Sequence, residues 1–116
     1  GTPLGLHSVE EKIGEGEPIG TVFKGRVSKG YTYKEASEEE QSINLITTRI
    51  IRLKGLDPSK NLGHPKDTYN RYIYIHGTNH EERLGQPFSN GCIELSNQAC
   101  LDLFSLINIE DHIWIE

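Results

Sequence analysis

The sequence has few cysteines and no long apolar run. Cys92 and Cys100 are the two cysteines among 116 residues, which is too few for a disulfide framework. The chain between them crosses from a predicted turn into a predicted helix, so we expect both thiols to be free. No apolar stretch approaches the length of a membrane-spanning helix, and the sequence therefore predicts no membrane-spanning segment.

Clusters of basic residues are also lacking. Lysine and arginine number 12 against 17 aspartates and glutamates, which gives a net charge of −5. Because no cluster of lysines and arginines is available to bind phosphate groups, the sequence argues against nucleic acid and anionic membranes as partners. Hydrophobic residues make up 34%, so we expect a thin core, and 12 glycines with 5 prolines favour a turn-rich β fold. The length fits one domain, residues 1–116.

The apolar pattern predicts several strands and one substantial helix. Leu45–Leu53 is rich in β-branched residues with apolar positions on both faces, as in a central strand. Ser96 or Asn97 is predicted to cap a helix from about Gln98 to Ile107, with Cys100 packed in the core. Further strands are predicted at residues 4–13, 19–27 and 112–115. The acidic run at 35–40 is expected to be a solvated loop, with a short helical turn as the alternative.

Three side chains carry specific expectations for packing. His7 is expected at the surface of the first predicted strand, whereas Phe23 and Val27 are expected to contact the core.

The stretch from Ile75 to Asn97 contains the candidate catalytic residues. An apolar run with strong β-propensity ends at His76, and the small-residue turn Ser89-Asn90-Gly91 leads into Cys92. A histidine and a cysteine are the two parts of a thiolate–imidazole nucleophile. A single cysteine is also common as a small buried hydrophobe, and a single histidine as a structural residue. Residue types alone leave both interpretations open.

The sequence motifs of this stretch resemble those of a known family. His-Gly-Thr at 76–78, a loop, and then Ser-Asn-Gly-Cys-Ile-Glu-Leu-Ser-Asn at 89–97 resemble the signature of the L,D-transpeptidase catalytic domain, or YkuD domain. Thr2-Pro3-Leu4-Gly5 is similar to the family's T-P-x-G turn. Residues 71–75 and 111–115 resemble the strand that enters the histidine and the last strand of the domain.

The resemblance implies a fold and an activity. The fold would be a mostly β, YkuD-like β-sandwich with one helix in the C-terminal half. Family domains carry strands before the T-P-x-G turn, so we expect that N-terminal strands are missing here and that an open sheet edge could pair in a homodimer. The implied activity is transpeptidation of peptidoglycan stem peptides in the bacterial cell envelope or periplasm, without a metal or other cofactor.

The resemblance also assigns roles to residues. Cys92 would form a thioester, and His76 would be the general base. Gly77 would orient the imidazole through its carbonyl, and the backbone N–H groups of Gly91 and Cys92 would bind the oxyanion. Substrate contacts are expected from Ser89, Asn90, Glu94 and Asn97.

Three positions depart from the family pattern. Asn90 stands where the family usually has His, Glu94 where it has Arg, and Ala99 where an Asp is common. An anion near the sulfur disfavours the thiolate, and a missing arginine removes a partner for substrate carboxylates. Two hypotheses follow. The first is a working transpeptidase with altered substrate preference, and the second is a weakened relative that binds cell-wall peptides without efficient turnover.

Overall fold

The computed structural model describes residues 4–56, 73–85 and 92–116. In chain order, the elements are β1 (Gly5–Ile13), β2 (Thr21–Lys24), β3 (Val27–Thr32), α1 (Glu38–Gln41), β4 (Ile46–Gly55), β5 (Ile73–Gly77), a 3₁₀ turn (Glu81–Arg83), β6 (Ile93–Leu95), α2 (Asn97–Leu106) and β7 (His112–Ile115). Within these ranges, neither α-helix has the length or apolar character needed to cross a membrane.

Strand β4 links the rest of the sheet. It pairs antiparallel with β1, β2 and β5, while β7 pairs antiparallel with β1 and β6 pairs parallel with β5. Most of its residues are buried, including Ile50 and Ile51 at 0% exposure, because strands pair along both of its edges and α2 packs on one face. The predicted central strand is therefore confirmed.

The main core lies between the sheet and α2. Ser96 caps the helix by accepting a hydrogen bond from the Ala99 N–H at 3.1 Å, as predicted. Phe104 of the helix then packs on a buried cluster from three strands, β1, β4 and β5: Val9, Ile51, Leu53, Ile73 and Ile75. The mostly β fold with one main helix is confirmed, and it is consistent with a YkuD-like β-sandwich.

The prediction of one strand over residues 19–27 is wrong. The chain reverses between Lys24 and Val27, where Arg26 has a φ of 66°, and β2 and β3 form a hairpin. Phe23 is buried as predicted, but Val27 is 64% exposed because it begins the outer strand of the hairpin. The acidic run also differs from the prediction, since it contains the single turn α1, capped by Ser37. Part of the strand predicted to enter His76, residues 71 and 72, lies outside the described residues.

The prediction of a surface position for His7 is also wrong. His7 has 0% exposure because β1 lies between β4 and β7, with His7 opposite Gly55 on one side and Ile113 on the other. Its Nδ1 lies 3.0 Å from the Gly5 carbonyl oxygen, while Nε2 is buried without a hydrogen-bond partner in the described part of the chain. Burial lowers the pKa of His7, against a smaller upward effect of the Gly5 hydrogen bond.

This burial predicts a loss of stability in mild acid. His7 must stay neutral in the folded state, whereas the unfolded chain takes up a proton near the ordinary histidine pKa of about 6.5. The unfolded state therefore binds more protons, and the free energy of unfolding should fall as the pH drops below about 6.5, by at most about 1.4 kcal/mol per pH unit for this group. Urea unfolding at pH 7.5 and 5.5 measures the change.

The control for this prediction is the exposed His112. His7→Gln should reduce the dependence of stability on pH, and His112→Gln should leave it unchanged. Equal pH dependence in wild type and His7→Gln would contradict the assignment.

Candidate active site

The candidate site is built on two adjacent strands. β5 and β6 run parallel, with Ile75 opposite Ile93 and His76 opposite Glu94. Ile75 and Ile93 pack into the core beneath α2. Because side chains alternate along a strand, His76 and Glu94 lie on the other face of the sheet, and Cys92, two residues before Glu94, shares that face. The two strands thus bring the His76 imidazole beside the Glu94 carboxylate, and the thiol of Cys92 is near enough to Glu94 for the charge to raise its pKa.

His76 is buried and held by its own strand. Its side chain is 3% exposed, and Nδ1 lies 2.6 Å from the carbonyl oxygen of Gly77. A carbonyl can only accept, so Nδ1 is the protonated nitrogen and Nε2 keeps its lone pair. Burial lowers the pKa of His76, while the Gly77 hydrogen bond and the charge of Glu94 act in the opposite direction. The resting imidazole is neutral near pH 7 and can accept a proton at Nε2.

Cys92 is a half-buried residue immediately before β6, and it forms no disulfide with Cys100. Burial raises its pKa, a hydrogen bond with the Tyr74 backbone lowers it, and the nearby Glu94 carboxylate raises it. With the thiol pKa raised and the imidazole pKa lowered, the resting pair is Cys92–SH and neutral His76 rather than a thiolate–imidazolium pair. A nucleophile in this state depends on its base at the moment of attack.

Glu94 is oriented by a directional relay of hydrogen bonds. The hydroxyl of Thr78 accepts from the His80 N–H at 3.0 Å and donates to Asn44 Oδ1 at 3.1 Å. The Asn44 amide group is thereby turned toward Glu94, and its Nδ2 donates to Glu94 Oε2 at 2.6 Å. The carboxylate opposite His76 is held in place through the loop that follows β5.

The backbone at Gly77 has no space for a side chain. A Cβ atom there would lie 2.6 Å from Asn97 Oδ1 and 2.9 Å from the Thr47 carbonyl oxygen. The pairing of β4 with β5 shifts register between Thr47 and Ile50, and Thr48 in this bulge has a φ of 74°. A β-branched residue with positive φ is strained, and such strain persists only where surrounding contacts enforce it.

Asn97 supplies those contacts. Its Oδ1 accepts from the hydroxyls of Thr47 at 2.6 Å and Thr48 at 2.5 Å, and its Nδ2 donates to the Thr78 carbonyl at 2.8 Å. Its backbone N–H and its Nδ2 both donate to Glu81 Oε2, at 2.6 and 3.1 Å. The residue is 5% exposed. Asn97 therefore joins the β4 bulge, the segment after His76 and the start of α2.

The sequence did not reveal this network, because its members are up to 50 residues apart. The sequence does show an asparagine, Asn97, at the start of the predicted helix, and this residue was interpreted as a substrate contact. Asn97 does line an open cleft of about 450 Å³ together with Ile19, Tyr33, Glu81 and Gln98. A role for Asn97 in binding substrate stays a prediction. So do the roles of Ser89, Asn90 and Gly91, which lie outside the described residues.

Cys100 is sealed from solvent on the helix side of Gly77, whose backbone interacts with its thiol. It has 0% exposure on α2, and its Sγ donates to the Arg49 carbonyl at 3.5 Å. Burial raises its pKa to about 11, so its thiolate is scarce at neutral pH. The predicted core position is confirmed, and Cys100 serves as an internal reference for the reactivity of Cys92. In the described ranges, no group of three or more His, Cys, Asp or Glu side chains could hold a metal ion.

A thiol and an imidazole on one face of paired strands are typical of enzymes with a cysteine nucleophile. Comparison with known proteins gives the family. The L,D-transpeptidase catalytic domain model, YkuD, matches residues 1–115, and the chain belongs to this family.

One curated relative is "Putative L,D-transpeptidase YqjB" of Bacillus subtilis (strain 168). It is 42% identical over 50 residues, which cover 43% of this chain and 28% of the relative. The matched segment thus spans less than a third of that protein. No solved structure gives a significant match.

The Asn97 network predicts a large cost for its removal. Asn97→Ala would leave two threonine hydroxyls and the Thr78 carbonyl without their partner, and each buried unsatisfied group costs about 1–3 kcal/mol. We expect the free energy of unfolding, measured with urea, to fall by about 3 kcal/mol or more. The control is Gln98→Ala, an exposed neighbour on the same helix, for which we expect a change within about 0.5 kcal/mol. Similar values for both variants would contradict the structural role of Asn97.

The electrostatics of Cys92 predict how its alkylation depends on pH. Reaction with iodoacetamide requires the thiolate, so the rate should rise with pH through an apparent pKa above that of an ordinary cysteine. Glu94→Gln removes the negative charge and should move this midpoint to lower pH. Intact mass spectrometry follows the reaction, and Cys92→Ala reports any background from Cys100. A midpoint that stays in place in Glu94→Gln would contradict the electrostatic role of the carboxylate.

Proposed function

We propose that the chain is a cysteine-dependent L,D-transpeptidase acting on peptidoglycan stem peptides, with Cys92 as nucleophile and His76 as general base. The observation that carries the proposal is the orientation of His76, since the Gly77 carbonyl holds the proton on Nδ1. Nε2 is thereby the basic nitrogen, and because side chains alternate along a strand, Cys92 is expected on the sheet face that His76 shares with Glu94. Membership of the L,D-transpeptidase family supports the reaction type.

The first half-reaction would acylate the enzyme. Nε2 of His76 takes the proton of the Cys92 thiol as the sulfur attacks the carbonyl that precedes a terminal D-alanine. The oxyanion of the tetrahedral intermediate would be bound by the backbone N–H groups of Cys92 and Gly91. His76 then gives its proton to the departing D-alanine amine, which leaves the thioester and a neutral imidazole.

The second half-reaction would transfer the acyl group. A deprotonated acceptor amine attacks the thioester carbonyl, a C–N bond forms, and the C–S bond breaks with the electron pair remaining on sulfur. His76 accepts the proton lost by the nitrogen and returns it to the Cys92 sulfur. A neutral Cys92 thiol and a neutral His76 imidazole suit this cycle. The thiol can give its proton directly to Nε2 as the sulfur attacks, so no thiolate–imidazolium pair has to form beforehand.

The proposed substrate places the protein in the bacterial cell envelope. Peptidoglycan lies outside the cytoplasmic membrane, and a family that acts on the cell wall works where its substrate is. The periplasm is the corresponding compartment in bacteria with an outer membrane. The proposed partners are stem peptides as acyl donors and amines of other stems or of attached proteins as acceptors.

A second candidate function is binding of cell-wall peptides without efficient turnover. Burial and the Glu94 carboxylate both raise the pKa of the Cys92 thiol, which disfavours the nucleophilic form. This candidate predicts that a stem peptide binds to the folded protein while no covalent adduct accumulates.

Acylation of Cys92 tests the proposed function directly. Incubation with a stem tetrapeptide ending in D-alanine should add the mass of the acyl group, and Cys92→Ala should abolish the adduct. His76→Ala should slow acylation by about 100-fold or more, because the base is lost. A carbapenem, which the family resemblance suggests as an acylating agent, provides a second probe.

Cys100→Ala is the matched control, and it should acylate like wild type. Peptide binding by the folded wild type without any adduct from either probe would contradict the enzyme and favour the second candidate. An adduct that persists in Cys92→Ala would contradict the choice of nucleophile.

A further inference from the structure

We propose that Glu94 is a specificity-determining residue that docks the ammonium group of the acceptor amine beside the Cys92 thioester. The inference rests on the proposed function and deepens it by naming the chemistry of the second substrate. Its basis is the position of a charged side chain on the reacting face of the sheet.

Glu94 lies close to both reacting groups. It is the register partner of His76 on the adjacent strand, and it stands two residues from Cys92 on the same face, about 6–7 Å along the strand. The carboxylate is half-buried, so its field is less screened there than at a fully exposed position. A cation drawn to Glu94 would lie within reach of the thioester carbonyl and of the base.

Among the described residues, one oxygen of the Glu94 carboxylate accepts a hydrogen bond and the other has no hydrogen-bond donor. Oε2 accepts from Asn44, whose amide orientation is set by Thr78, and no described residue hydrogen-bonds to Oε1. In the described part of the chain, no lysine or arginine forms an ion pair with Glu94. A half-buried carboxylate with a fixed geometry, and with no cation paired to it from residues 4–56, 73–85 or 92–116, is complementary to a cation on the substrate.

The chemistry of the second half-reaction identifies this cation. Primary amines are protonated near pH 7, and an ammonium bound at Glu94 would be next to neutral His76. Nε2 can accept one ammonium proton and pass it to water, and the freed nitrogen lone pair then attacks the thioester carbonyl. The C–N bond forms, the C–S bond breaks, and the second proton passes through His76 to the sulfur. Water carries no charge to dock, so the carboxylate favours aminolysis over hydrolysis.

One test uses charged thiol reagents and does not require turnover. Wild type should react faster at Cys92 with the cationic aminoethyl methanethiosulfonate than with its anionic sulfonatoethyl analogue. In Glu94→Gln the ratio of the cationic to the anionic rate should fall by about tenfold. The substitution removes both the attraction of the carboxylate for the cationic reagent and its repulsion of the anionic one. Any change in the pKa of the thiol affects both reagents equally and cancels in the ratio.

Two further variants separate charge from other effects. Gln at position 94 can still accept from Asn44, so the substitution removes the charge and keeps the hydrogen bond. Glu94→Asp should retain most of the rate ratio, and Glu10→Gln, an exposed carboxylate on β1, should leave it at the wild-type value. An unchanged ratio in Glu94→Gln, or an equal fall in Glu10→Gln, would overturn the inference.

A second test follows the fate of the thioester. With the amide of N-acetyl-lysine as acceptor, Glu94→Gln should lower the ratio of aminolysis to hydrolysis about tenfold, as read by mass spectrometry of the products. With hydroxylamine, which is uncharged near pH 7, the ratio should change less than about twofold. Equal falls with both amines would overturn the inference. Failure of Cys92 to acylate at all would instead contradict the proposed function.

Discussion

The parallel pairing of β5 and β6 is the constraint on which the site depends. It places Ile75 and Ile93 in the core and leaves His76 and Glu94 on the opposite face, where the alternation of side chains is expected to direct Cys92 as well. A slip of one residue in this register would move the apolar residues out of the core and the reactive ones into it. The burial that stabilises the sheet therefore also enforces the alignment of the reacting groups.

A second layer of contacts holds the end of β5. Asn97 connects the β4 bulge, the Thr78 carbonyl and the start of α2, and its Oδ1 lies 2.6 Å from the position that a Cβ atom at Gly77 would take. The Gly77 carbonyl in turn holds the proton of His76 on Nδ1. Thr48, which belongs to this network, has a strained backbone with positive φ. Strained backbone conformations are common at functional sites, where they are kept despite their cost in stability. The same residues thus support the fold and the tautomer of the base.

Parts of this account were available from the sequence. β-branched and apolar runs predicted β4 and β7, and the serine before the apolar stripe of α2 predicted its cap, because these signals are local. The buried position of His7 was missed, since it depends on β7 returning to cover β1 from more than 100 residues away. The hairpin was missed because its two-residue turn places Arg26, and not only Gly25, at a positive φ, which a sequence does not predict for arginine. His76 and Cys92 were singled out from their motif, but the relay from Thr78 through Asn44 to Glu94 joins residues that only the folded chain brings together.

The central claim is that His76 is a neutral base with its proton on Nδ1 and Nε2 available to the Cys92 sulfur. Long-range ¹H–¹⁵N NMR spectra of the imidazole groups test it most directly, with the His76 signals assigned by their absence in His76→Gln. The account predicts a neutral Nδ1–H tautomer at pH 7 that titrates below the ordinary histidine pKa. An imidazolium at pH 7, or a proton on Nε2, would contradict it.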